Sequence, residues 1–193
     1  MIDIISEELL NIKDIENILF DLNITTAYVC KIIRRKEDLR EFNLPKTKKI
    51  ILKKAYLLDD CSIVSSIKEK DCLILLDGGD LKKNTLAISN KSQASLFNPI
   101  GTELCFDQGL AEIAKQNNKT VYFNINEIRT NQYRAIKQMN FIINLLKQKN
   151  IDIKFVTMAK RTNELIDERI LESFLINFNL EKEISIKILN KEN

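Results

Sequence analysis

Short runs of consecutive apolar residues alternate with segments whose apolar positions recur every three or four residues, and this pattern repeats along the chain. Residues 2–5 open as a β-branched run. Ser6 then N-caps a helical segment, with Leu9, Leu10, Ile12, Ile15, Leu19 and Leu22 on one face. Residues 27–33 (AYVCKII) read as a buried strand and 37–42 as a helical turn stopped by Pro45. Strand 49–58 is followed by a helix over 61–70, and strand 72–76 (CLILL) runs into the turn Asp77-Gly78-Gly79-Asp80. The alternation continues with helix 81–89, strand 94–97, loop 98–101, helix 107–117 and strand 120–125. A long helix over 132–149, a strand over 153–158 and helices over 163–177 and 181–189 complete it.

Repeated strand-then-helix units with continuous apolar strands predict an α/β fold whose parallel sheet is buried on both faces. Seven or more such units either close into a barrel or form an open doubly wound sheet. No Gly-rich first turn marks an open-sheet nucleotide crevice, so the expectation is a compact TIM-like (β/α) barrel of about seven to eight units. With 193 residues against the roughly 250 of a typical eightfold barrel, its helices must be short. No linker interrupts the pattern, so residues 1–193 read as a single domain.

Composition removes whole classes of chemistry. The chain has no histidine, which excludes Ser-His-Asp and Cys-His nucleophiles and HExxH zinc sites. Its four glycines, Gly78, Gly79, Gly101 and Gly109, spell neither GxGxxG nor GxxxxGK[ST]. The four cysteines form no CxxC pair and no histidine is there to complete a site, so zinc is not expected. The first ten residues carry acids and no basic n-region, and no stretch reaches the roughly 20 apolar residues of a membrane span. The expectation is a soluble, cytoplasmic protein with reduced thiols and no membrane partner.

Charge adds a location. Thirty Lys and Arg against 27 Asp and Glu give only +3 overall, but residues 31–54 hold ten basic and three acidic residues, a local +7. Such a field attracts polyanions, although a lysine-rich solvated face would have the same composition. In a barrel the functional face lies at the carboxyl ends of the strands. There the pattern places Arg34 and Arg35 after the second strand, and Lys160 and Arg161 after the seventh. Arg129 and Arg134 bracket the loop after the sixth. These six are the candidate phosphate contacts. Asp3, Asp59, Asp77, Asp80 and Asp107 offer a second chemistry, a magnesium-dependent phosphoesterase, against the ordinary role of capping helices.

Five passages in fixed order resemble the archaeal ribonuclease P protein component 3, the family of the eukaryotic 30-kDa ribonuclease P subunit. Residues 73–84 (LILLDGGDLKKN) are similar to its strand and Arg-Gly-Gly-Asp-Leu-x-x-Asn turn, and 94–101 (ASLFNPIG) to its Asp-[IV]-[LIV]-x-His-Pro segment. Residues 106–127 resemble its Ile-Asp-His helix and following strand, and 134–149 its Arg-x-x-[IL]-x-x-Met helix. Residues 155–175 resemble its strand, Gly-Ala-x turn and Leu-Arg-x-Pro helix. Departures fall at Asp77, Gln108, Met158, Ile166 and Glu168, which stand where the family has Arg, His, Gly, Arg and Pro.

The resemblance implies an α/β barrel without metal ligands, serving as a non-catalytic subunit of the endoribonuclease that removes the 5′ leader from precursor tRNA. Chemistry and Mg²⁺ would then belong to the RNA subunit, and no residue of this chain would be catalytic. The implied partners are ribonuclease P RNA and ribonuclease P protein component 2, in a heterodimer or heterotetramer, with precursor tRNA met indirectly. Gly78, Gly79, Asp80 and Asn84 would build a tight turn. The alternatives are the small barrel phosphoesterase named above and a pure protein-interaction module.

Overall fold

The computed structural model describes residues 1–40 and 42–176, except for the side chains of residues 128–133. The helix expected over 181–189 and the end of the one expected over 163–177 lie outside the described residues. Among the described residues seven strands form: β1 (Ile2–Ser6), β2 (Thr26–Ile33), β3 (Ile51–Leu58), β4 (Cys72–Asp77), β5 (Ser95–Phe97), β6 (Val121–Asn124) and β7 (Ile153–Val156). They pair in chain order, each parallel to its neighbours. Just past β7, Ala159 bridges Ile5 of β1 in parallel, with Met158 N donating to Ile4 O at 2.8 Å and Ser6 N to Ala159 O at 2.9 Å. These bonds join the last strand to the first, so the sheet is a barrel, as the alternation implies.

Strand alternation sorts the apolar residues into two layers. Ile4, Cys30, Ala55, Leu75, Phe97, Tyr122 and Val156 pack together as one buried cluster, the filling of the barrel. Their sequence neighbours Ile5, Val29, Leu76, Leu96, Phe123 and Phe155 belong to the larger cluster between strands and helices. Within it the Phe123 and Phe155 rings stack at 5.5 Å.

Among the described residues five α-helices accompany the strands: α1 (Ile15–Asp21), α2 (Leu81–Ser89), α3 (Gln108–Gln116), α4 (Ile125–Gln148) and α5 (Glu168–Ile176). The expected helix from Ser6 to Leu22 is broken into a 3-10 turn (Glu7–Asn11) and α1, because Asp14 takes a left-handed conformation at φ 60°. The segment expected as a helix over 61–70 is only a 3-10 turn, Cys61–Ser66. Asp60 caps it through Ser62 N at 2.8 Å, and its serines and β-branched residues favour short turns over a continued helix. Helix α4 begins at Ile125 rather than at 132. Asn124 accepts from Asn126 N at 3.1 Å and Ile125 is buried, so the helix nucleates directly on the strand end despite a polar first turn.

Helical cover is therefore uneven. Among the described residues no α-helix follows β2 or β3, and Phe42, in the irregular segment before β3, packs edge-on against Tyr56 at 5.8 Å. This packing also redistributes the basic window. Lys31 and Lys54 both lie over the Phe42 ring, at 5.8 and 5.4 Å, Lys53 over Tyr28 at 5.8 Å and Lys49 over Phe20 at 5.3 Å. Four of the ten cations thus cover aromatic faces, keeping their charge but holding their stems against the protein surface.

Candidate functional site

The loops after the strands form a rim with two sectors. On one side, β7, β1 and β2 are adjacent, and the turns after β7 and β2 are built alike. Ile33 ends β2, and Arg34 and Arg35 follow it with exposed side chains. Asp38 Oδ2 folds back to accept from Arg34 N at 3.1 Å and Arg35 N at 2.9 Å. After β7, Lys160 and Arg161 are likewise exposed, and Glu164 Oε2 accepts from Lys160 N at 2.7 Å and Arg161 N at 3.3 Å. Arg35 (φ −137°, ψ 158°) and Arg161 (φ −133°, ψ 155°) have nearly the same extended backbone, and each opens a 3-10 turn, Lys36–Asp38 and Thr162–Glu164. The backbone N–H groups of Arg35 and Arg34 hold the Asp38 carboxyl below its ordinary range. Between the turns, at the end of β1, Glu8 lies 3.9 Å from Lys160 Nζ.

The other sector carries acids. Lys83 Nζ lies 3.3 Å from Asp77 and 3.7 Å from Asp59. Burial pushes the Asp77 carboxyl up, against the pull of Lys83. Burial alone would lower Lys83, but Asp77, with Asp59 and Asp80, outweighs it and the ammonium is held above its ordinary range. Glu127, at the start of α4, accepts from Asn98 Nδ2, and burial pushes its carboxyl up too. Beside it Arg134 faces a cleft of about 380 Å³ with Gly79, Ile100, Gly101 and Thr102.

The turn between β4 and α2 joins this sector to the core. Gly79 has φ 98°, a conformation that suits glycine. A Cβ at Gly101 would stand 2.0 Å from Gly79 O, so the two loops touch through glycine. Asp80 caps α2 through Lys83 N at 2.7 Å. Asn84, fully buried, accepts from Gly79 N at 3.3 Å and donates to Pro99 O at 3.0 Å and Cys105 O at 2.8 Å. Asn84→Ala leaves Gly79 N and Cys105 O without these bonds, while Pro99 O keeps the Cys105 thiol at 2.9 Å. It should lower unfolding stability by about 2 kcal/mol, measured by urea denaturation. A loss below about 0.5 kcal/mol would show that the loops stay joined without it.

The expected contacts therefore do not form one ring. Arg34, Arg35, Lys160 and Arg161 share the β7–β1–β2 sector, while Arg134 stands apart at the acidic cleft. Arg129 and Arg134 do not bracket a loop. Both lie within α4, because the helix starts seven residues earlier than its apolar period suggests. The side chain of Arg129 lies outside the described residues.

The carboxylates of the phosphoesterase alternative are engaged otherwise. Asp3 accepts from Thr157 at the barrel closure, Asp80 and Asp107 cap α2 and α3, and Asp59 and Asp77 share Lys83. Among the described residues, no three His, Cys, Asp or Glu side chains are grouped to hold a metal ion. No described helix is long and apolar enough to cross a membrane.

Sequence reasoning missed Asp38, Glu164 and Lys83. A signal for the first two was present: two cations directly after a strand and an acid three residues beyond the second of them.

The fold and rim define an α/β barrel with a cationic sector at its carboxyl-end face. No family model matches the chain, and no curated protein does. Among solved structures it is similar to a chain in the cryo-EM structure of archaeal ribonuclease P with mature tRNA. The TM-score is 0.75 at 18% identity, over 98% of this chain and 87% of that one. At that identity the likeness establishes the fold.

Proposed function

We propose that this chain is a protein subunit of ribonuclease P, acting in removal of the 5′ leader from precursor tRNA. The observation that carries the reading is the fold likeness, which runs nearly the full length of both chains rather than over a shared sheet alone. The cationic sector at the barrel's functional face supports it. On this reading the protein holds no catalytic residue. The RNA subunit performs the hydrolysis with its own Mg²⁺, and Arg34, Arg35, Lys160 and Arg161 screen phosphate repulsion, joined from the other sector by Arg134 and Arg129. The protein partner is ribonuclease P protein component 2, and precursor tRNA is met indirectly.

The test is precursor-tRNA cleavage by the cognate ribonuclease P RNA with component 2 at low Mg²⁺, with and without this chain. Restored cleavage at the mature 5′ end supports the subunit role. Cleavage indifferent to the chain would reduce the likeness to one of fold.

A further inference from the structure

The geometry points to the two matched turns acting as a paired clamp for RNA backbone phosphates, with Asp38 and Glu164 as its positioning residues. This rests on the subunit reading above and deepens it. Each carboxylate lies beside two cations, yet one of its oxygens accepts both backbone N–H groups of the cationic pair. The acid thus fixes the path of the main chain. Without it, two consecutive N–H groups would lose their acceptor and the loop would gain conformational freedom. The same device occurs twice, at the ends of strands flanking β1. Two strand spacings put the turns on the order of 10 Å apart, so the two turns meet different phosphates.

Coulomb's law and positioning make opposite predictions here. Removing an acid from a cationic rim should strengthen binding to a polyanion if charge alone matters. If Asp38 and Glu164 act by holding the turns, removing their acceptor should weaken it.

The experiment is a salt titration of the full chain with a transcript of ribonuclease P RNA, followed by fluorescence anisotropy. Asp38→Ala and Glu164→Ala are each expected to weaken binding about three- to tenfold at 0.1 M salt. Their salt slopes should be shallower by about 0.7–0.9 for each phosphate that is no longer neutralised. Asp38→Asn and Glu164→Gln keep a carbonyl acceptor for the two N–H groups while removing the charge, so they should bind as well as the parent or better. Circular dichroism and thermal melting check that all four variants are folded.

Alanine variants that bind as tightly as the parent, or more tightly, overturn the inference, as does weaker binding with an unchanged slope. The double variants Arg34→Gln/Arg35→Gln and Lys160→Gln/Arg161→Gln separate the two levels. If these leave affinity and slope unaltered, the rim does not contact RNA and that part of the subunit reading fails. If they weaken binding while the alanine variants do not, only the positioning role fails.

Discussion

Asp3→Asn stabilises the barrel above pH 6 and removes a pH dependence that the parent chain shows between about pH 4 and 6. Asp3 is buried where β1 meets the chain just after β7. Its Oδ1 accepts from Ile4 N at 2.7 Å and Thr157 N at 2.8 Å, and its Oδ2 from Thr157 Oγ1 at 2.6 Å. No cation pairs with it among the described residues. Burial dominates, and the three donors only partly offset it, so the carboxyl is pushed up from 3.8 to about 6. A carboxyl raised in the folded state favours folding below its unfolded value and loses that contribution as pH rises to the folded one. The loss here is about 3 kcal/mol. Asparagine keeps Oδ1 for the two backbone N–H groups and turns Nδ2 toward the Thr157 hydroxyl, with no charge to bury. Asp3→Ala instead strands three donors at the closure and should destabilise by about 3 kcal/mol. Urea unfolding at pH 4.5 and 7.5 measures both variants. Parallel pH dependences for parent and Asp3→Asn would refute the argument. Glu16, Asp38, Asp60, Glu69 and Glu112 have the opposite sign, all held below their ordinary values, so their contribution fades only as pH falls through those lowered values.

The strands were legible because a two-sided parallel sheet imposes runs of apolar residues, and the order of those runs was enough to suggest closure. Their crossovers were less so. Sequence periodicity reports a buried stripe, and the start of α4 has little of one, its capping by Asn124 being a local polar event. The cover over β3 by Phe42 was likewise invisible, since an irregular segment carries no period. One departure from the resembling family becomes intelligible in the structure. Met158, standing where that family has glycine, has φ 49°, and its side chain is buried in the barrel filling. The left-handed backbone costs a methionine roughly 1–2 kcal/mol, offset by burial of its side chain. Asn98, before Pro99, also has positive φ, at 48°, which asparagine tolerates. In a chain with only four glycines, Asn23, Asn118 and Asn150 follow the same rule at the ends of α1, α3 and α4. The rim was legible in its cations and hidden in its acids, because Asp38 and Glu164 act through backbone bonds that no charge count registers.

Replacing Arg34, Arg35, Lys160 and Arg161 together by glutamine should cost the largest share of RNA affinity. All four side chains are exposed, and the turns that carry them lie on either side of β1 in one sector of the rim. Each neutralised phosphate contributes a salt slope of about 0.7–0.9, so the four-residue variant should titrate with a slope shallower by about three. At 0.1 M salt the same relation gives about sixfold in affinity per phosphate, on the order of a thousandfold for four, a difference that shrinks as salt approaches 1 M. The salt slope therefore reports the number of neutralised phosphates independently of affinity. Lys160 is already shared with Glu8 at 3.9 Å, so its part of the loss should be the smallest of the four. The lysines over Phe42, Tyr28 and Phe20 provide the control. Lys49→Gln removes one positive charge from a residue that covers the Phe20 ring and bonds Asn17 Oδ1 at 2.7 Å, and it should leave the slope unchanged. If the rim variant and the Lys49 variant shifted the slope equally per charge removed, binding would follow net charge alone. The arrangement of the rim would then have no part in it.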